Sequence, residues 1–368
     1  TGSGKTLQGG FYANPSDQTG RNTPVSSPNG LRLYAADPYV EQVSRIFTSD
    51  EIGAGVGTGA SGSSGAAGAN GGGGGENAAE LSPQESVADV NRIIQRLGSG
   101  EWDNMADGLN GTVICSVTGP DGAVYVGGVF TTAGGSPANY IAKWDGSAWS
   151  ALGSGMNDIV WALAIGPDGA LYATGEFTSA GGVGAGFIAK WDGISWSALG
   201  SGLGRSGYAL AVAPDGTIYA GGTFFPPLGS YYHIAKWDGS AWSALGSGMS
   251  NYVTSLAVAP DGTLYAGGWF TTAGGSSANY IAKWDGSAWS ALGSGMNYHV
   301  LALAIGPDGA LYAGGRFTTA GGSPANYIAK WNGSAWSALG SGMNDEVWAL
   351  AVAPDGTLYG GGKFTSAG

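Results

Sequence analysis

The sequence contains few charged residues, very little histidine and a single cysteine. Of 368 residues, 11% are charged and two are histidine, and Cys115 is the only cysteine. One cysteine excludes an intrachain disulfide, and so few cysteine and histidine residues argue against a zinc site. No apolar run approaches the roughly 18 residues of a membrane-spanning helix, so we expect no membrane insertion.

Basic residues are scarce relative to acidic ones. The chain has 14 Lys and Arg residues against 26 Asp and Glu residues, which gives a formal net charge of −12 at pH 7. Proteins that bind nucleic acid use basic groups to displace counterions from phosphates. We therefore expect no nucleic-acid partner and no attraction to an anionic membrane surface.

Glycine and large aromatic residues are abundant, and they recur in a repeat. There are 72 Gly, 14 Trp and 17 Tyr residues. The tripeptide Pro-Asp-Gly begins at Pro120 and recurs five times at steps of 46 or 47 residues, and a tryptophan recurs at the same steps from Trp102. Six copies at one spacing indicate duplication of a single structural unit.

Each unit is predicted to contain four short strands. In the second copy, IVWALAI and ALYATGEF flank the Pro-Asp-Gly turn, and FIAKW and SWSAL flank Asp192-Gly193. Asp-Gly between apolar runs indicates a hairpin, because Gly accepts the positive φ of such turns. Four antiparallel strands per repeat predict an all-β fold, a β-propeller. A helical solenoid is disfavoured because Gly and β-branched residues destabilise helices.

The phase of the repeat predicts six blades, the last incomplete within this sequence. Glu101–Met105 aligns with the fourth strand of the other copies, and we expect it to complete the last blade. The third strand of that blade has no counterpart here, and a seventh or eighth blade beyond Gly368 is the alternative.

Two repeated segments resemble known propeller families. LAVAPDGTLYAGG is similar to the blades of NHL- and SMP-30-like propellers, and KWDGSAWSALG is similar to kelch-like repeats of bacterial and phage surface proteins. The resemblance extends from about Trp102 to Gly368 and implies the fold, since propellers serve many functions. SMP-30-like hydrolases hold a metal in an acidic and amide cluster. The inner strands here are apolar, so those residues are not carried over.

Residues 1–100 have a different composition from the repeats. We predict an extended arm with a short helix at 1–52, a Gly/Ala/Ser-rich linker at 53–80, and a helix at 81–100 before the propeller at 101–368. The helix is indicated by Ser82 as cap with Glu85 three residues later. We expect this arm to anchor the propeller to a multimeric scaffold or to further copies of the chain. Its opening TGSGKT lacks the first Gly of a P-loop, so we expect no nucleotide site.

The copies differ mainly at one end of the predicted blades. There the loops, the innermost strands and the position before a repeated Phe vary, and large aromatics replace Thr or Val. Such residues suit a sugar or a protein partner, although drift of exposed loops is the alternative. The predicted ligand-binding residues are Asp158, Trp161, Glu176, Arg205, Tyr208, Phe225, Tyr231, Tyr232, Tyr252, Trp269, Tyr298, His299, Arg316, Asp345, Glu346, Trp348 and Lys363.

Residues that repeat in every copy are predicted to be structural. Single carboxylates in tight turns, such as Asp145, suit turn formation better than calcium, which requires six to eight oxygens. The amide Asn332 at the equivalent position in the fifth copy also fits a turn role. The lysines that precede Trp, such as Lys143, are expected to pack their stems over aromatic rings. We predict no catalytic residue, metal or cofactor. A glycosidase pair built from Glu176 with Asp345 or Glu346 is a minor alternative.

The sequence thus predicts a non-enzymatic display protein at an extracellular, virion or cell surface, such as a tail fibre or filament. The arm anchors it, and the propeller binds a surface glycan or a protein receptor. Two alternatives are a purely structural subunit, with the propeller packed between neighbours, and a propeller hydrolase.

Overall fold

The computed structural model describes residues 108–224 and 232–368. The predicted arm, linker and helix at 1–100, and the closing strand at Glu101–Met105, lie outside the described residues. Within these two ranges the chain forms 30 strands and no helix. No helix in this part of the chain is therefore long and apolar enough to cross a membrane.

Each complete repeat forms a four-stranded antiparallel sheet, and in four repeats a small two-stranded hairpin follows the second strand. We call the sheets blades 1 to 6 in chain order; blade 6 has two strands within the described residues. Blades 1 and 2 contain β1 (Thr112–Thr118), β2 (Val124–Val129), β3 (Thr132–Ala133), β4 (Ser136–Pro137), β5 (Ile141–Trp144), β6 (Trp149–Ala151), β7 (Val160–Ile165), β8 (Leu171–Gly175), β9 (Ser179–Ala180), β10 (Val183–Gly184), β11 (Ile188–Trp191) and β12 (Trp196–Ala198).

Blades 3 to 6 repeat the same order of elements. Blades 3 and 4 contain β13 (Gly207–Val212), β14 (Ile218–Gly222), β15 (Ile234–Trp237), β16 (Trp242–Ala244), β17 (Val253–Val258), β18 (Leu264–Gly268), β19 (Thr272–Ala273), β20 (Ser276–Ser277), β21 (Ile281–Trp284) and β22 (Trp289–Ala291). Blades 5 and 6 contain β23 (Val300–Ile305), β24 (Leu311–Gly315), β25 (Thr319–Ala320), β26 (Ser323–Pro324), β27 (Ile328–Trp331), β28 (Trp336–Ala338), β29 (Val347–Val352) and β30 (Leu358–Gly362).

The first strand of each blade packs against the first strand of the next, from β1 through β7, β13, β17 and β23 to β29. Residues from all six of these strands line one central cavity of about 150 Å³. The blades therefore surround a common centre. The chain is a β-propeller, as the sequence predicts.

Adjacent blades fit together through a glycine facing a valine. A Cβ on Gly127 of blade 1 would lie 2.5 Å from Cγ1 of Val160 in blade 2, so no larger residue fits there. The interface between blades 2 and 3 reverses this arrangement, because Thr174 replaces the glycine and Gly207 replaces the valine. Thr174 is fully buried, and a Cβ on Gly207 would overlap its hydroxyl. Total side-chain volume at the interface is thus conserved.

The repeated tryptophans connect each blade to the one before it. The indole N–H of Trp196 in blade 2 donates to the carbonyl of Leu152 at the end of blade 1, at 2.9 Å. Trp242, Trp289 and Trp336 make the same 2.9 Å hydrogen bond to the blades that precede theirs. The constancy of this tryptophan therefore has a structural reason.

The Asp-Gly turns are built as the sequence predicts. The Asp145 Oδ1 accepts hydrogen bonds from the backbone N–H groups of Ser147 and Ala148, both at 2.8 Å. Asn332 accepts the same pair of bonds in blade 5. In blade 3, backbone N–H donors and a serine hydroxyl lower the pKa of Asp238 to about 2. The turn role of these residues is confirmed.

The lysines before tryptophan pack over tyrosines of the second strand. The Lys143 Nζ lies 5.4 Å from the Tyr125 ring centroid and 2.8 Å from the Asp121 carboxylate. Blades 2 and 5 repeat this arrangement. In all three blades a glycine stands two residues before the aspartate, where a Cβ would lie 2.6 Å from the carboxylate. The predicted lysine–aromatic packing is confirmed there.

Candidate binding face

The antiparallel order of the strands separates two faces of the propeller. The turns between strands one and two and between strands three and four lie at one end of each blade, which we call the constant face. The connections from strand two to strand three, and from strand four to the next blade, lie at the opposite end. We call that end the variable face, because the predicted binding residues that the structure describes lie there.

The loops of the variable face are fastened at a constant position. The Asn157 Oδ1 accepts hydrogen bonds from the backbone N–H groups of Thr178 and Ser179, both at 2.9 Å, and so joins the loop entering blade 2 to the connection leaving β8. Asn110, Ser250, Asn297 and Asn344 make the equivalent pair of bonds. The variable residues of these loops therefore follow directly after a residue whose side chain is held by two backbone hydrogen bonds.

The variable residue of each innermost strand occupies a β-bulge. In blade 2, Val160 pairs with Gly175 and Ala162 pairs with Thr174, so Trp161 is the extra residue. A bulge redirects its side chain and is common beside functional sites. The same break in register occurs in all six blades. The bulged residues are Ile114, Trp161, Tyr208, Thr254, Leu301 and Trp348.

A backbone hydrogen bond holds two further variable positions side by side. In blade 4 the N–H of Trp269 donates to the carbonyl of Tyr252 at 2.9 Å, and in blade 5 the N–H of Arg316 donates to the carbonyl of His299 at 2.9 Å. Positions that are 17 residues apart in the sequence are thus adjacent in each blade. Their side chains together form the surface of the variable face.

Aromatic side chains from blades 2 to 5 form a continuous series of contacts, which we call the aromatic arc. Ring centroids are 6.1 Å apart from Trp161 to Tyr208, 6.4 Å from Tyr208 to Tyr252, and 6.1 Å from Tyr252 to Trp269. The arc continues by stacking, at 4.1 Å from Trp269 to His299 and at 4.1 Å from His299 to Tyr298. The structure therefore brings together six residues that the sequence predicts from four different repeats.

His299 lies between two rings and is uncharged at neutral pH. Its ring is nearly parallel to that of Trp269, with 9° between the planes, and within 24° of that of Tyr298. Burial, assisted by the positive charge of Arg316, lowers the pKa of His299 to about 4, although Glu346 opposes the shift. Trp269 Nε1 and His299 Nδ1 have no hydrogen-bond partner among the described residues, so ring contact holds this stack together.

Two of the predicted tryptophans are buried and hold carboxylates. Trp161 is 5% exposed and its Nε1 lies 3.3 Å from a Glu176 oxygen. Trp348 is 8% exposed and its Nε1 donates to Glu346 at 2.9 Å. These buried tryptophans therefore hold two carboxylates of the variable face in place.

The cationic side chains of blades 5 and 6 are already paired. Arg316 Nε lies 3.0 Å from the Glu346 carboxylate, and both side chains are about four-fifths buried. Lys363 Nζ lies 3.7 Å from the Asp345 carboxylate in a more exposed pair. Next to the aromatic arc, in blades 5 and 6, the variable face therefore carries positive and negative side chains that are paired with each other.

The other predicted residues lie around this arc. The Asp158 Oδ1 accepts the backbone N–H of Ile159 at 2.8 Å and shapes the loop into blade 2. Arg205 is exposed on the loop into blade 3, and Tyr232 is 46% exposed. Phe225 and Tyr231 lie outside the described residues.

Two aromatic residues that the sequence analysis did not select also contact the arc. Tyr280 packs edge-on against His299 at 5.6 Å and contacts Tyr298, and His233 packs against Tyr252 at 5.4 Å. Both adopt a left-handed φ, which is 64° at Tyr280. An aromatic side chain occupies this position in all five complete copies, so repetition marked it as structural. Only the contacts of Tyr280 and His233 with neighbouring rings show that they belong to the surroundings of the arc.

The chemistry available on this face is stacking and hydrogen bonding. Within residues 108–224 and 232–368, no group of three or more His, Cys, Asp or Glu residues is arranged to hold a metal ion. The carboxylates of Glu176 and Glu346 are hydrogen-bonded to indoles.

Comparison with a known protein family supports the fold. Residues 119–143, 259–283 and 306–332 match a family described as a β-propeller domain of unknown function, DUF5122. No curated protein sequence matches the chain. Among solved structures, a crystal structure of an ancestral GH74 enzyme is similar with a TM-score of 0.48 and 16% identity, over 69% of this chain and 35% of that one. The chain thus spans about a third of the length of that enzyme.

Proposed function

We propose that this chain is a non-enzymatic display protein that presents the variable face of its propeller for attachment to a surface glycan or protein receptor. The observation that supports this proposal is the aromatic arc, in which six predicted residues from four repeats form one series of ring contacts. Rings held in this way offer rigid, amphipathic area at little entropic cost.

The proposed setting is an extracellular, virion or cell surface, with residues 1–100 as the anchor in a larger scaffold or between copies of the chain. Its support is the acidic, disulfide-free and repetitive sequence and its resemblance to kelch-like repeats of bacterial and phage surface proteins. A binding role, rather than hydrolysis, is favoured because Glu176 and Glu346 are hydrogen-bonded to buried indoles and Glu346 is also ion-paired.

The most exposed rings of the arc provide the test. Tyr252 and Tyr298 are 37% and 46% exposed, so their removal should change the surface while leaving the buried packing in place. The labelled full chain should bind a glycan array or intact bacterial cells, and the Tyr252→Ala/Tyr298→Ala variant should lose that binding. Ile194→Ala is the matched control, because Ile194 is 87% exposed and lies on the constant face. Unchanged binding by the double variant would contradict the proposal, as would native particles in which neighbouring subunits cover the variable face.

A further inference from the structure

The exposed part of the arc is aromatic and uncharged. Tyr252 and Tyr298 are its most accessible rings, in the loops that enter blades 4 and 5. Each packs against other rings of the arc, Tyr252 against Tyr208 and Trp269, and Tyr298 against His299. His299 is neutral at pH 7, because its pKa is about 4. A ligand that covers these rings therefore meets no net charge there.

The charged groups next to the arc would not favour an anionic ligand. The predicted binding residues include four carboxylates and three cationic side chains. Arg316 and Lys363 are both paired with carboxylates, and the Arg316–Glu346 pair is largely buried. An anionic sugar that binds Arg316 would have to displace Glu346 and separate a largely buried ion pair, which is costly.

The placement of the exposed rings favours an extended ligand. Tyr252 lies in the loop that enters blade 4 and Tyr298 in the loop that enters blade 5, and the Trp269–His299 stack connects them. A chain of several sugars can contact rings in both loops. The C–H face of a pyranose suits an aromatic ring, and the phenol hydroxyls at the edges can bond sugar hydroxyls.

From this surface we infer that the aromatic arc binds an extended, uncharged saccharide chain along blades 4 and 5. The inference rests on the proposed function and specifies its ligand. Because the contacts are stacking and neutral hydrogen bonds, affinity should depend little on ionic strength, unlike binding through exposed charges.

The experiment compares neutral and acidic glycans with the full chain. A glycan array selects ligands, and calorimetry then measures their affinities at about 0.1 M and about 1 M NaCl. At the higher salt concentration, interactions between exposed charges are screened beyond about 3 Å. Neutral oligosaccharides should bind, with affinities that change less than about twofold with salt. The Tyr252→Ala/Tyr298→Ala variant should bind at least about tenfold more weakly, as expected for the loss of two aromatic contacts. Ile194→Ala should bind like the natural chain.

The results separate this inference from the proposed function. Binding that is confined to acidic glycans, or an affinity that falls steeply with salt, would overturn the inference that the ligand is uncharged. The proposal of attachment through the variable face would still stand. Binding only to a protein receptor, if it depends on the same two tyrosines, would likewise overturn the saccharide inference and leave the proposed function standing. Absence of any glycan or receptor that depends on Tyr252 and Tyr298 would overturn both.

Discussion

On the constant face, each Trp-Asp-Gly turn carries one Asp or Asn oxygen that accepts two backbone N–H groups, and the copies are nearly identical. On the variable face, an Asn or Ser side chain fastens the loop in five copies, and the residues that follow vary among the copies. Both faces thus fix their backbone through side-chain oxygens. Variation among the copies is concentrated near the variable face, at both exposed and buried side chains.

The tryptophans show this difference most clearly. Trp289 is 8% exposed and donates to the carbonyl of Leu245 in the preceding blade, in a position that is tryptophan in every copy. Trp269 occupies a position that differs in every copy and stacks on His299. The same residue type therefore has a structural role in one place and contributes to a surface in the other.

The largest expected effect is on stability when a repeated tryptophan is removed. Trp289→Ala should lower the free energy of unfolding by about 3–5 kcal/mol, the usual cost of truncating a buried aromatic residue. Trp269→Ala should cost less, because Trp269 is only partly buried and its indole N–H has no partner among the described residues. Denaturant unfolding measures both. Equal losses would show that the two positions do not differ in role.

A smaller effect is expected at the interface between blades 2 and 3. Thr174→Gly should cost about 1–3 kcal/mol, because it removes a buried side chain and the 2.7 Å hydrogen bond to the carbonyl of Phe187. Gly207→Val alone should be at least as harmful, because the valine would overlap Thr174.

The double variant Thr174→Gly/Gly207→Val reproduces the glycine–valine pair of the other interfaces and should recover most of that loss. Denaturant unfolding of the single and double variants completes the cycle. Additive losses in the double variant would contradict the proposed exchange of volume between the two blades.

The third and smallest effect concerns pH and distinguishes the variable face. The pKa of His299 is about 4 when folded and about 6.5 when unfolded, so the unfolded chain binds the proton more tightly. The associated stability is fully present above pH 6.5 and is lost as the pH falls towards 4. In the His299→Gln variant, stability should fall less between pH 6.5 and pH 4 than in the natural chain, as measured by thermal unfolding at several pH values. Asp238, with a pKa of about 2, loses its contribution only below about pH 4. An unchanged pH profile in His299→Gln would contradict the buried, neutral imidazole.

Much of the fold could be predicted because the repeat specifies local structure. Asp-Gly turns between short apolar runs define hairpins, and a constant spacing defines equal blades around a centre. The identity of the variable face also follows, because antiparallel strands place alternate connections at opposite ends. The exchange at Thr174 and Gly207 was not predicted, since each substitution is compensated by the other in a different repeat.

The contacts within the candidate site could not be predicted in the same way. The sequence identifies Trp269 and His299 as variable, but stacking requires the position before Phe in blade 4 to face the loop of blade 5. Trp161 and Trp348 are buried at bulged positions, and the sequence alone does not identify these bulges. Tyr280 was not selected because an aromatic residue stands at this position in all five complete copies, so it does not vary in kind.

The sequence by itself determined the repeat, the four-stranded unit and the end of the blade at which the copies differ, because turn chemistry and strand periodicity act over a few residues. Only the tertiary structure decided which variable residues touch, which carboxylates are neutralised and which rings remain accessible. Those properties depend on contacts within and between blades, where packing brings together residues that are separated in the sequence.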